Sequence, residues 1–249
     1  MTSELPILIS AGLSAALVAT VAYGTFVPQS EMWCRNISRA PATVQRSIAL
    51  TFDDGPTPGA TDRVLDILEK HDVRAAFFVI GTHARANPDL LRRIDSGGHI
   101  IGNHTYDHDH LSIFRGERYW LDQLRRTDDV ISQIIGKRPA FFRPPVGIKF
   151  RNSIRAMRQC GQTMVTWSLR GRDGTTTTSA RILQRILPNL APGAILMLHD
   201  GIEPHCPRDP EPTLQSLPRL IDFVIENDFQ FRRLDDLIAL PAYRIPTPV

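Results

Sequence analysis

Cysteine is scarce in this chain of 249 residues, and Cys34, Cys160 and Cys206 do not cluster in sequence, which excludes a closed thiolate zinc site. Cys160 lies in a helical pattern and reads as core, whereas Cys34 and Cys206 lie in loops and could pair in an oxidising space. Tracts of a single charge are also missing. The net charge is +3 with the basic residues scattered, so no nucleic-acid partner is expected. Aromatic residues make up only 7% of the chain, which leaves few stacking platforms for a long polymer. No glycine-rich dinucleotide fingerprint follows the first strand-like run, and no internal repeat or low-complexity tract is present. No protein partner is implied.

At 42% hydrophobic and 22% charged, the chain can bury one large core or two small ones. One stretch departs from the rest: Leu5 to Val27 has no charged side chain and is long enough to cross a bilayer as a helix. The leader "MTSE" lacks a basic residue and Ala22 and Gly24 make a poor cleavage site, so an uncleaved anchor over residues 1–27 is expected ahead of a cleaved signal. Arg35, Arg39 and Arg46 follow the span, and the positive-inside bias alone would put the remaining chain in the cytoplasm.

After a polar linker over 28–46, short apolar runs alternate with amphipathic helical stretches. "SIALTF", "AAFFVIG", "HIIGNH", "AFFRPP", "TMVTWSL", "AILMLH" and "FQFRRL" read as strands, each followed by a helical pattern. Seven strand-then-helix units imply a parallel sheet covered by helices. The expected fold is α/β, a distorted, small or incomplete (β/α) barrel over about 47–240 with a tail over 241–249.

Polar groups stand immediately after the strands: Asp53 and Asp54, His104 and His108, Arg143, Asp173, His199 and Asp200. In a barrel these ends meet on one face. Two histidines four apart on a strand would lie about 13 Å apart, but a helical turn brings them to about 6 Å, so the strand must break at His104 to let "HTYDH" hold one metal. With a carboxylate from another strand end, the set becomes His, His, Asp and an open position, as in catalytic zinc sites. Neighbouring carboxylates at a strand end, pointing to opposite sides, can take different jobs.

"TFDDGP", "HTYDH", "RPPVG", "WSLRGRD" and "ILMLHD", in this order and spacing, resemble the five motifs of the polysaccharide deacetylase family, the NodB-homology or carbohydrate esterase family 4 domain. The resemblance covers about residues 46–240. It implies that Asp54, His104 and His108 hold one divalent metal ion, usually zinc. It further implies Asp53 as general base, His199 as general acid, Arg143 as the arginine orienting the base and Asp173 as the carboxylate orienting His199. Substrate contacts are expected from Pro145, from Val146 through its backbone N–H, and from Tyr106, Trp167 and Leu198, with Tyr119 and Trp120 as further stacking candidates.

The implied activity is hydrolysis of N-acetyl groups on an amino-sugar glycan or glycolipid of the cell envelope, at a membrane and on its outer side. Val146, Arg170 and Gly174 depart from the family's usual Tyr, Asp and Trp, which leaves acyl and sugar specificity open. A non-catalytic carbohydrate-binding relative and a deacylase of lipid-linked sugars or other acyl groups are the alternatives. His83, His99, His110 and His205 match no motif and read as structural or loop residues.

Overall fold

Strand β2 (Ser47–Asp53) is buried along its whole length, as a continuous apolar run in a parallel sheet requires. The structure, a computed structural model, describes residues 4–41, 45–204 and 208–245, with side chains from residue 14 onward. The chain begins with α1 (Glu4–Phe26) and β1 (Asn36–Ile37). After β2 come α2 (Thr61–Lys70), β3 (Ala76–Val79), α3 (Gly81–Ala86), α4 (Pro88–Ser96) and β4 (Ile100–Asn103). Helix α5 (Glu117–Ile135) leads to β5 (Arg138–Pro139) and β6 (Phe141–Phe142), and α6 (Arg151–Gln159) to β7 (Thr163–Val165) and β8 (Leu169–Arg170). The chain then runs through α7 (Ser179–Ile186), β9 (Ile195–His199), α8 (Glu211–Glu226), β10 (Gln230–Phe231), α9 (Leu234–Ile238) and β11 (Tyr243–Arg244).

The main sheet runs β1-β7-β6-β4-β3-β2-β9-β8, with β10 added beside β2, and every pairing in it is parallel. Among the described residues no pairing joins β1 to β8, so the sheet curls without closing and the incomplete barrel is the form adopted. Because all strands point one way, their C-terminal ends share one rim.

Strand alternation divides the interior. Ile48, Leu50 and Phe52 pack outward with Phe77, Leu196 and Leu198 against residues of α2, α7 and α8. Ala49 faces the other side with Ala76, Phe78 and Ile195. Thr51 and Asp53 follow Ala49 on that inner face, so the first polar residues of the site are carried by the strand period itself.

The stretch expected as a linker does more than connect. Asn36 and Ile37 pair with Met164 and Val165 at the sheet edge. Pro28 O accepts from Asn36 Nδ2 (2.6 Å), Thr166 Oγ1 (2.9 Å) and Lys149 Nζ (2.9 Å), while Gln29 Nε2 donates to Trp167 O (2.8 Å). The end of α1 is therefore fastened to the domain. Among the described residues no helix is long and apolar enough to cross a membrane. The expected span over Leu5 to Val27 gains no support there, and the side chains of residues 5–13 lie outside the described set. At the other end, Tyr243 and Arg244 of the expected tail pair antiparallel with Pro139 and Arg138, and residues 246–249 lie outside the described residues. Cys34 and Cys160 are free and buried, and Cys206 is outside the described residues, as is its expected pairing.

Candidate active site

The register of the sheet places Asp53 opposite His199 on β9, and Asn103 opposite Phe142. The residues just past these points, Asp54, His104 and Arg143, then meet above the rim. The alternation argument put Asp53 and Asp54 on opposite sides, but both line one cleft of about 460 Å³. The strand ends at Asp53, and Asp54 adopts a left-handed backbone (φ +74°) that turns its carboxylate back inward.

The "HTYDH" loop coils as its spacing requires. Thr105 and His108 are left-handed (φ +69° and +53°). Thr105 N–H donates to Asn103 Oδ1 at 2.9 Å, and Gln123 Oε1 on α5 accepts from Tyr106 N (2.8 Å) and Asp107 N (3.1 Å). The rings of His104 and His108 come to 4.9 Å between centroids. Their Nε2 atoms lie 3.3 and 3.5 Å from Asp54 Oδ1, and all three side chains are buried. His104 is oriented by Arg143 O, 2.8 Å from its Nδ1. Behind Asp54, His83 Nδ1 approaches Asp54 O at 2.8 Å.

Burial opposes ionisation of Asp54, yet the imidazoles of His104, His199 and His108 facing it hold its carboxyl far below the usual carboxylate range. Burial likewise lowers His104, but the charges of Asp53 and Asp54 outweigh it and raise the imidazole above its ordinary value. Asp54 Oδ1 nevertheless has no hydrogen-bond partner although it is fully buried. A buried carboxylate oxygen without a donor, facing two imidazole nitrogens, is the donor set of a divalent cation. The residues fit the group.

Arg143 is wholly buried inside the curled sheet. Its Nη1 donates to Asp53 Oδ1 (2.6 Å) and Thr51 Oγ1 (2.9 Å), its Nε to Val165 O (3.1 Å) and its Nη2 to Thr166 O (3.0 Å). The guanidinium also lies over the Phe78 ring, 3.9 Å from its centroid. Burial pulls its pKa down, and Asp53 opposes that pull. Across the cleft, Asp173 Oδ1 lies 2.9 Å from His199 Nδ1, while its Oδ2 accepts from His199 N (2.9 Å) and Thr213 Oγ1 (2.8 Å). Burial alone would lower His199, but the Asp173 charge raises it. Its Nε2 faces the cleft, 4.0 Å from Asp54 Oδ2. Asp200 turns away beneath Gly55, bonded by Thr61 Oγ1 at 2.6 Å, with burial foremost and then the charge of Asp54 pushing its carboxyl up to about 7.

The expected substrate contacts divide. Val146 and Trp167 line the cleft, and Val146 is left-handed (φ +49°), an uncommon backbone for a β-branched residue. Pro145 is buried beside Val146 and is not among the lining residues. Leu198 belongs to the outer core because the strand period puts Met197, not Leu198, on the cleft face. Tyr106 lies in a separate depression under Arg126, whose guanidinium is 3.7 Å from the ring centroid, and Trp120 is buried core.

Three residues escaped sequence reasoning. Glu203 approaches His108 Nδ1 at 3.5 Å and contacts His110 Nε2, so His110 belongs to the site's surroundings. Arg208 Nη2 lies 3.3 Å from Asp54 Oδ2. Both come from the loop after β9, where no periodicity marks them.

A family model described as polysaccharide deacetylase matches residues 40–165. The chain is 35% identical over 198 residues to a chitooligosaccharide deacetylase of Bradyrhizobium sp., covering 77% of this chain and 90% of that one. It is also 35% identical over 152 residues to a peptidoglycan-N-acetylglucosamine deacetylase of Bacillus cereus, covering 61% of this chain and 55% of the relative, so it spans about half of that protein's length. Among solved structures it superposes with a TM-score of 0.77 on a peptidoglycan N-acetylglucosamine deacetylase in complex with 4-naphthalen-1-yl-N-oxidanyl-benzamide, at 29% identity over 84% of this chain and 95% of that one.

Proposed function

The chain belongs to the polysaccharide deacetylase family, and from that premise we propose that it hydrolyses N-acetyl groups on an amino-sugar glycan, releasing acetate and a free amine. Relatives named for peptidoglycan and for chitooligosaccharides support this substrate class. The observation that carries the reading is the buried Asp54, His104 and His108 set with its unpartnered carboxylate oxygen, flanked by the Asp53–Arg143 pair and the His199–Asp173 pair.

In this reading a divalent cation, most simply zinc, is held by Asp54, His104 and His108, and when bound it supplies the Lewis acidity that activates water and polarises an acyl carbonyl. Asp53 accepts the proton of the attacking water. Arg143 holds Asp53 in place, since its charge-assisted bond reaches Oδ1 and leaves Oδ2 for the proton. The backbone N–H of Val146, turned by its left-handed conformation at the cleft edge, is assigned as donor to the oxygen on which charge develops. His199, as the imidazolium that the Asp173 charge at Nδ1 stabilises, delivers the proton on Nε2 to the departing amine.

The test is acetate release from N-acetylglucosamine oligomers by the metal-stripped chain and again after zinc is restored. Acetate that depends on the metal is expected. No acetate from folded protein carrying one metal per chain, on neutral and on acidic N-acetylated sugars, would overturn the reading. The apolar N-terminal segment adds a location to the proposal, an envelope glycan processed at the membrane's outer side. Recovery of the full chain in the aqueous fraction after membrane sedimentation would remove that part alone.

A further inference from the structure

The cleft holds an excess of positive charge that hydrolysis of a neutral acetamide does not require. Arg170, Arg172, Arg185 and Arg208 all line it. Its carboxylates are engaged elsewhere: Asp53 by Arg143, Asp54 by the two histidines, and Glu203 by His108 and His110. Among the described residues the one ion pair made by these four arginines is Arg208 with Asp54, at 3.3 Å. Arg185 spends Nη1 on Gly171 O (3.0 Å) and Thr177 Oγ1 (3.3 Å), bracing the loop that presents Arg170 and Arg172. Partial burial and then the charge of Arg172 pull the Arg170 guanidinium down, as expected of like charges facing without a counterion.

Gly174 explains how the cationic wall fits. A Cβ there would lie 3.0 Å from His199 Cε1 and 3.3 Å from Arg208 Nη1, so the space beside the acid histidine is filled from the loop after β9. Arg208 is only 8% exposed, and its guanidinium is held by Gly201 O from Nε at 3.1 Å. Nη2 is spent on Gly201 O and Asp54 Oδ2, which leaves Nη1 beside Gly174, and this fixed donor together with two exposed arginines at the rim suits a carboxylate or a phosphate.

We propose that Arg170, Arg172 and Arg208 form an anion subsite beside the acetyl-binding position, and that the substrate is an amino sugar carrying a carboxylate or phosphate substituent. The inference rests on the deacetylase reading of the same cleft and adds the chemistry that reading leaves open. The cationic rim both steers such a substrate and orients its sugar ring against His199.

The experiment compares three substrates with the zinc-loaded full chain: a neutral N-acetylglucosamine oligomer, an oligomer containing N-acetylmuramic acid, and N-acetylglucosamine 1-phosphate. Calorimetric binding of N-acetylmuramic acid, of N-acetylglucosamine 1-phosphate and of N-acetylglucosamine to the metal-stripped chain runs beside it. The expected kcat/KM favours an anionic substrate by about ten- to a hundredfold, the scale of one or two charge-assisted hydrogen bonds. The carboxylate and phosphate arms identify which anion is read. In the double variant R170Q/R172Q the preference collapses toward unity and anion binding weakens, whereas R219Q, far from the cleft, keeps both. Equal kcat/KM on neutral and anionic substrates, or a preference unchanged in R170Q/R172Q, overturns the subsite and leaves the deacetylase reading standing. Arginine-dependent binding of an anionic sugar without acetate from any substrate upholds the subsite and overturns the deacetylase reading. Neither binding nor acetate overturns both.

Discussion

Replacing Arg143 by Met should cost more than any surface substitution in this protein, because the guanidinium is fully buried and four oxygens depend on it. Losing one partner of a buried ion pair costs about 3–5 kcal/mol. Val165 O and Thr166 O would each lose their donor from Arg143, at about 1–3 kcal/mol apiece. The total, roughly 5–10 kcal/mol, is comparable with the whole stability of a typical domain, about 5–15 kcal/mol. Asp53→Asn alone is milder, about 2 kcal/mol, since the amide oxygen still accepts from Arg143 while the charge attraction is lost. In the double variant no carboxylate is stranded, so it should be more stable than the sum of the singles by about 3 kcal/mol. Urea unfolding of the metal-free chain at pH 7, with midpoint and slope for each member of the cycle, measures this coupling. Should Arg143→Met not fold, Arg143→Lys serves, because it keeps the charge but cannot reach both carbonyls and Asp53 together. Additivity within about 0.5 kcal/mol would refute the claim that Arg143 and Asp53 act as one buried unit.

Three further expectations follow from the site and its surroundings. Asp53→Asn should bind zinc as the parent does while turnover falls by about a hundredfold or more, and Asp54→Ala should lose more affinity than the roughly 10- to 100-fold caused by losing an outer-shell partner, both read by zinc calorimetry. Asp173→Asn removes the charge that raises His199, so the alkaline limb of the kcat/KM profile should move to lower pH; an unmoved limb would detach His199 from the proton transfer. His99 is buried, accepts Ala75 N–H at Nδ1 (3.1 Å), and is lowered to about 4, first by burial and then by Arg74, Arg233 and Arg93. Its folded value lies below its unfolded one, so stability is complete above about 6.5 and is lost as pH falls toward 4, by about 3 kcal/mol. In urea melts His99→Gln should show a smaller loss over that window, and an equal loss would remove His99 as the source.

Much of this is legible in the sequence. "SIALTF" is mostly apolar and forms a strand buried on both faces, and "GERYWLDQLRRTDDVISQIIG" carries the helical period over the residues that become α5. The approach of His104 and His108 to the end of β2 needed only the parallel sheet and one broken strand. What escaped depends on direction, which periodicity alone does not supply. Asp54 turns inward through a left-handed backbone that no hydropathy pattern marks. Counting back by two from His199 along β9 gives Met197 as the cleft residue, so Leu198 was misplaced by one position of the strand period. The edge strand at Asn36 and Ile37 is too short to show as an apolar run, and its place is set by hydrogen bonds from Asn36 and Lys149 to Pro28. Arg208 sits in a loop, where spacing carries no information about which side chain folds back.

The space left open at Gly174 has a bearing on how this enzyme could be altered. Since a side chain there meets both His199 and a guanidinium arriving from thirty-four residues downstream, positions 174 and 208 form one mutational unit. A library that randomises position 174 against a fixed arginine should favour glycine and other small residues, because His199 Cε1 at 3.0 Å and Arg208 Nη1 at 3.3 Å must both give way to a Cβ. Randomising both together should admit larger residues at 174 beside a small one at 208, with the His199 ring as the contact that still limits size. Any path between the two must pass through the gly-plus-small intermediate, in which the wall is missing and substrate choice is loosest.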